Sequence, residues 1–490
     1  MTRSPAGPLL VGVDLGSQSA KVAVHTADGR VVASGRRPLR AALTPRPGVV
    51  EHPDDDLVDA LAAACRDAVA ALSAAGGSTG DLVGLGLCGI RSTRALLRAD
   101  GTLAAPVISW MDERASRPHD PAAAPADTAV VTASSGHLTR WLTGRAADSP
   151  AAYPVLWPLD LERWDWSTDD AVLAAMGLRR DQLVALALPG AVLGAVTEVA
   201  AHATGLPAGL PVVATANDKA VEALGCGLAG PDQALVSLGT YVAPMLLGDA
   251  PLRPGEEEAA GAWTNLASVP GRYLLEGGGV RRGMWTVSWL RDLVGPGLLP
   301  GGAPEELEDV LNRAAAEVPV GADGLLAVLD WLAPAHEPWR RGAFVGFDGR
   351  HGAAHLYRAV LEGLALTVGG HLRTLVDGLD RDVRLVLLSG GGARSPLMRQ
   401  VVADVTGLPV RVAVDDGSPA ALGAAVCAAV GTGVHPGFDE AVAAMVAPGP
   451  SVQPDAAATR AYGEIGQTHA DLRASLAPVL RRDDAPGQPR

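Results

Sequence analysis

The sequence predicts an α/β protein whose two domains face one another across a cleft. Three observations carry this expectation. Strand-like and helix-like runs alternate through both halves of the chain. A length of 490 residues exceeds one ordinary core, so two main domains are expected. Two similar hairpins, Val11–Val24 and Ala234–Met245, open the two halves. Each is an apolar strand, a tight turn of Gly with hydroxyl or amide side chains, and a second apolar strand. Such a tip presents backbone N–H groups and small donors, which suits it to grip phosphate oxygens. Two copies suggest nucleotide phosphates held between related domains, with expected bounds of 8–230 and 233–432 and a tail of mixed helix and coil over 433–490.

The elements follow in order. Strand-like runs stand at 9–14, 20–25, 30–34, 82–88, 94–98 and Val212–Thr215. Ala and Leu recur at three- and four-residue spacing over Asp54–Ser73, behind an Asp-rich start, which predicts a helix. Asp218–Ala229 predicts another, with Asp218 at its N-terminal end. Residues 116–130 read as a Pro/Ala loop, and Gly248–Gly261, with its run of three Glu, as an exposed linker. The second half continues with helices Trp285–Leu293 and Ala354–Leu375, strand Val383–Ser389, a Gly turn and helix Pro396–Thr406. Strand Pro409–Val414 and helix Ala420–Ala429 complete it.

Composition narrows the function. A net charge of −14 without a basic block argues against nucleic acid or an anionic membrane as partner. Apolar residues make up 48%, yet only three are Phe and five Tyr, so the core must rest on Ala, Val and Leu. Cys65, Cys88, Cys226 and Cys427 are scattered without metal-ligand spacing and read as buried thiols of a reducing compartment. With no cleavable signal pattern and no apolar run of spanning length, a cytoplasmic location is expected. Only Lys21 and Lys219 are lysines among 40 basic residues. Two lysines retained in so Arg-rich a chain are either chance or positions where the rigid Arg fork substitutes poorly.

Asp14 precedes the turn Gly16-Ser17-Gln18-Ser19. A carboxylate beside bound phosphate would repel it unless a metal intervenes, so Asp14 is a candidate Mg²⁺ organiser, the alternative being a turn-stabilising Asp. Lys21, on the returning strand, could neutralise phosphate charge. The run Leu388-Ser-Gly-Gly-Gly-Ala-Arg-Ser-Pro396, between a strand and a helix, lets a flat ligand lie against backbone. Asp218 is either a simple N-cap or a general base aimed into the cleft. The P-loop, the protein-kinase catalytic loop and the nucleophile elbow are all missing. His351 and His355 have helical metal spacing but no third ligand. The tryptophans of Leu156–Trp166 read as packing.

In order, these motifs resemble the FGGY carbohydrate kinases, the family of xylulokinase and glycerol kinase, with the paired ribonuclease-H-like domains of the actin-like ATPase fold. The resemblance runs from about residue 9 to 432. It rests on the opening Val-Asp-Leu-Gly-Ser-Gln-Ser-Ala-Lys, Ile108–Ala115, Leu142–Ser149, Asn217-Asp-Lys, Ser237–Thr240, Ser288–Asp292, Ala359–Gly363 and Gly390–Ser395. It implies ATP-dependent, Mg²⁺-assisted phosphorylation of a small sugar (a ketose such as xylulose, a polyol or a sugar acid). Asp218 falls at the catalytic base and Asp14 at the metal-associated Asp. The nucleotide would be held by Gly16, Ser17, Gln18, Lys21, Gly239, Thr240, Ser288, Gly391, Gly392, Ala393 and Ser395. The sugar would meet Arg91, Ser92, Asp112, Asp218 and Lys219. Dimerisation is common in that family, and the residues do not decide it.

Three departures place the substrate side in question. Lys219 follows the catalytic Asp where Gln or Asn is usual, Ile90-Arg-Ser-Thr93 replaces Gln-Met-His-Gly, and the stretch before Leu142 is short. Arg91 and Lys219 facing the sugar would favour an anionic carbohydrate. The alternative is that Lys219 pairs with Glu222 or Glu198, and Arg91 with Asp112. An actin-fold ATPase or sugar-binding sensor without transferase activity is the competing class, and the presence of Asp14 and Asp218 weighs against it.

Overall fold

The computed structural model describes residues 7–153, 156–298, 301–333, 337–413 and 418–481. The end of the strand expected through Val414 and the chain beyond 481 lie outside the described residues.

Two twisted mixed sheets form the frame. The first has six strands in the order Val192–Ala195, Pro211–Ala214, Leu82–Cys88, Leu9–Leu15, Ser19–Thr26, Val31–Pro38. The second has seven, in the order Ala262–Leu266, Tyr273–Gly277, Val242–Gly248, Gln233–Leu238, Leu385–Ser389, Val410–Ala413, Pro448–Val452. Both repeat one device. An antiparallel hairpin is followed, after a crossover, by a strand parallel to the hairpin's first strand. All-apolar runs such as Leu9–Leu15 are buried along their whole length, as strands covered on both faces must be. The carboxyl ends of the parallel strands in each sheet point into the cleft, where ligands of open α/β sheets bind.

The helix Pro419–Gly431 is the keystone. Its Ala-rich surface is buried nearly all round, as an element apolar on every face requires. It lies directly on the backbone of the first sheet. A Cβ added to Gly12 would fall 1.8 Å from the Ala421 carbonyl oxygen, and one on Gly86 1.9 Å from that of Ala424. Glycine is therefore required at both strand positions. This helix, expected within the second domain, caps the sheet of the first. Helix Asp218–Gly225 crosses it at two further glycines and packs into the core of the second sheet.

Several expectations are revised. The linker Gly248–Gly261 contains a helix, Pro254–Ala260, started by Pro and stopped by left-handed Gly261 (φ 54°). The helix expected to run to Ala229 ends at Gly225. The tail is not peripheral: Pro448–Val452 forms an edge of the second sheet, and Ala456–Leu480 is a 25-residue helix. The four cysteines are buried and free. Tyr153 packs edge-on against Trp157 and Trp166 at 4.8 Å each, which gives the tryptophan segment its packing role. No helix among the described residues is long and apolar enough to cross a membrane.

Candidate active site

A cleft of about 900 Å³ runs between the sheets, lined by both hairpin tips, the Asp218 helix, the Gly390–Gly391 turn and the start of helix Gly283–Leu298. In the first hairpin the register sets Asp14 opposite Lys21. Lys21 donates to the Asp14 carboxylate at 3.0 Å, and the Ser418 hydroxyl donates at 2.7 Å. Both bonds fall on Oδ2, so Oδ1 remains for a further ligand. Gly16, Ser17, Gln18 and Lys21 all line the cleft.

Asp218 stands at the first turn of its helix, but Asn217 does the capping. Its side-chain oxygen accepts from the backbone N–H of Lys219 and Ala220, each at 3.1 Å. Asp218 Oδ1 shares the Lys219 N–H, at 2.9 Å, and its side chain, 27% exposed, lines the cleft. Burial pushes its carboxyl above the ordinary value, and Glu222 and Asp14 add to the rise while Arg91 and Lys219 oppose it. A carboxylate held in this way is a stronger base than one in water.

Both cations of the substrate side are paired. Arg91 donates two hydrogen bonds to Glu276, at 2.5 and 2.9 Å, and its Nε lies 3.6 Å from Asp218. Glu276 is fully buried in the second sheet and also accepts from Asn265. Arg91 thus pairs with Glu276 rather than with Asp112. Lys219 donates to Glu222 at 2.8 Å and to the Ser237 hydroxyl at 2.6 Å. Burial is the largest influence and raises Glu222, but the Lys219 charge and the hydrogen bonds from Lys219 and Ser237 together hold the carboxyl below its ordinary value.

Other expected positions divide. Gly239, Thr240, Ser288 and Gly391 line the cleft. Gly392 and Ala393 do not: Gly392 packs against Met284 and Leu238, and Ala393 joins the core. Ser395 caps helix Pro396–Thr406 and donates to Asn312 at 2.6 Å, so its hydroxyl is engaged. Asp112 is buried, and its carboxylate is spent on the Val50 N–H at 2.7 Å and on Arg114. Both of its oxygens are engaged within the protein, and it does not line the cleft. Ser92 adjoins Arg91 with left-handed backbone (φ 56°), a strained geometry for a residue with a side chain.

Glu276, Tyr241, Ser418 and Arg36, which lines the cleft and reaches the Ser19 hydroxyl at 3.4 Å, were not foreseen. Tyr241 follows the second tip, its ring centroid 6.0 Å from the Arg91 guanidinium and its phenol above bare Gly279, where a Cβ would fall 2.5 Å from Cζ. The signal for Glu276 was one acid within the apolar run Tyr273-Leu-Leu-Glu-Gly. Ser418 and Arg36 left no comparable mark. Among the described residues, no group of three His, Cys, Asp or Glu side chains forms a metal cluster. His355 instead lies 3.3 Å from Asp323.

Comparison with known proteins agrees with this geometry. Residues 9–128 match the N-terminal domain, and 234–432 the C-terminal domain, of the FGGY family of carbohydrate kinases. The uncharacterized sugar kinase YgcE of Escherichia coli K12 is 44% identical over 439 residues, 89% of this chain and 87% of its own. An autoinducer-2 kinase of Yersinia enterocolitica is 30% identical over 318 residues, 64% of this chain and 59% of its own. The crystal structure of xylulose kinase from Rhodospirillum rubrum superposes with a TM-score of 0.77 at 25% identity, over 96% of this chain and all of that one.

Proposed function

Because the chain belongs to the FGGY family of carbohydrate kinases, it is an ATP-using sugar phosphotransferase, and we propose that Asp218 is its general base and a small neutral polyhydroxylated sugar its acceptor. The observation that carries this reading is Asp218 itself. Asn217 supplies the helix cap to the Lys219 and Ala220 amides, burial raises the Asp218 carboxyl, and Asp218 lines a cleft whose other walls include both hairpin tips.

The sugar hydroxyl would attack the γ-phosphorus in line, the bond from phosphorus to the ADP oxygen would break, and the hydroxyl proton would pass to the Asp218 carboxylate. Gly16, Ser17, Gly239 and Thr240 would hold phosphate oxygens by backbone and hydroxyl donors, and the Gly390–Gly391 turn would take the nucleoside. Asp14 fits a hydrated divalent cation, since Oδ1 carries neither of its two side-chain bonds. Mg²⁺ bound there would supply positive charge against the phosphate oxygens.

A neutral acceptor follows from the pairing of Arg91 with Glu276 and of Lys219 with Glu222. Neither cation is left to attract a substrate carboxylate. Arg91, with Ser92 beside it, would instead hydrogen-bond acceptor hydroxyls, while Tyr241 would present an aromatic face to the C–H side of the sugar. The relatives' names include autoinducer-2 kinase and xylulose kinase, so acceptor identity has to be measured. The test is sugar-dependent ADP release with Mg-ATP across ketopentoses, polyols, deoxy sugars and sugar acids. A neutral sugar should give the signal, and Asp218→Asn should lower kcat by about 10²–10⁴. Preference for a sugar acid would overturn the acceptor class, and undiminished turnover in Asp218→Asn would overturn the base.

A further inference from the structure

A second cavity, of about 560 Å³, lies away from the cleft between helices Ala353–Gly378 and Ala456–Leu480 and the segment 337–340. Its volume falls in the range of metabolite sites, and its chemistry differs from that of an ordinary helix–helix groove. Four arginines line it: Arg340, Arg373, Arg473 and Arg481. Two carboxylates answer them. Asp330 takes Arg473 at 2.9 Å and Arg340 at 3.6 Å, and Glu337 takes Arg340 at 2.5 Å. Arg373 and Arg481 have no carboxylate partner among the described residues. The lining histidines, His371 and His469, are held below their ordinary values by burial and add no charge at neutral pH.

Two of the arginines are also held in place. The Arg481 guanidinium lies 4.5 Å and that of Arg340 5.1 Å from the Trp339 ring centroid. Stacking on one ring fixes these planar forks before any ligand arrives, which lowers the ordering cost of binding. We propose that this cavity is a binding site for a multivalent phosphate anion, a phosphorylated small metabolite, separate from the catalytic cleft. Guanidinium forks match phosphate oxygens two at a time, and two charges in one concavity with no carboxylate partner among the described residues select a multivalent anion over a single carboxylate. The cavity backs onto the catalytic side. The His371 ring lies over Gly278, two residues beyond Glu276, so both sites share one strand end.

The experiment is calorimetric titration of the full chain with inorganic pyrophosphate at constant ionic strength, with saturating ADP to fill the nucleotide cleft. One site is expected, weakened at least tenfold in the double variant Arg373→Gln/Arg481→Gln. Both side chains are exposed, so the variant should melt at the wild-type temperature when no probe is present. Inorganic phosphate should bind the wild type more weakly than pyrophosphate. Absence of a binding heat in the wild type, or equal affinity in the double variant, would overturn the proposal without touching the kinase reading.

Discussion

At the scale of single residues, the site is a contest over one carboxylate. Burial raises Asp218, and Arg91 and Lys219 pull it back. Arg91 approaches to 3.6 Å, close enough for its opposite charge to favour the ionised carboxylate. Replacing Arg91 by Gln removes that pull, so the folded Asp218 pKa rises further. In the proposed mechanism activity needs the ionised Asp218, so it is lost as pH falls through this value. The acid limb of kcat/KM should therefore move upward in Arg91→Gln, while Arg91→Lys keeps it near its original place. Coincident acid limbs in all three proteins would mean that Arg91 does not tune the base. Asp218 was legible as a candidate, but its choice between cap and base was not. That choice depends on Asn217 reaching the Lys219 and Ala220 amides, a rotamer that no spacing reveals.

At the scale of elements, the sequence was most readable where local rules dominate. The hairpins announce themselves by apolar strands around small-residue turns, and the long helices by their periodicity. Pro254–Ala260 escaped because a seven-residue, Glu-rich segment resembles a solvated loop until its Pro start and Gly261 stop are weighed together. The family resemblance assigns Gly392, Ala393 and Ser395 of the glycine-rich run to the nucleotide. Which residues of the run face the cleft depends on Met284 and Leu238 packing from elsewhere. The crossing of helices Asp218–Gly225 and Pro419–Gly431 is likewise a product of distant glycines. A Cβ on Gly423 would stand 1.9 Å from the Val221 carbonyl oxygen, and backbone cannot yield cheaply there. Gly423→Ala should cost about 3 kcal/mol by forcing the helices apart. Gly463, inside Ala456–Leu480 with nothing within 4 Å of its Cβ position, provides the contrast. Gly463→Ala should stabilise by about 0.5–1 kcal/mol through helix propensity alone. Urea unfolding measures both, and changes of the same sign would refute the packing argument.

At the scale of the whole molecule, one guanidinium joins the two halves. Arg91 follows a strand of the first sheet, Glu276 lies on a strand of the second, and 185 residues separate them in sequence. That separation is why the pairing with Glu276 could not be read in advance. Arg91 also sits beside Asp218, so bringing the domains together and setting the base involve the same side chain. Opening the cleft would strip Arg91 of its buried acid, and closing it restores two charge-assisted bonds. Glu276→Gln keeps the shape and removes the charge, leaving Arg91 short of its main partner. Loss of one member of a buried pair costs about 3–5 kcal/mol, and part of that cost should appear as domain opening. The variant should show a larger radius of gyration in solution scattering and a raised acceptor KM. Water admitted to the loosened cleft competes with the sugar hydroxyl for the phosphoryl group. The ratio of sugar-independent ATP hydrolysis to sugar phosphorylation should therefore rise in Glu276→Gln. If stability falls while scattering, KM and this ratio stay unchanged, the pair only holds the fold together and closure is governed elsewhere.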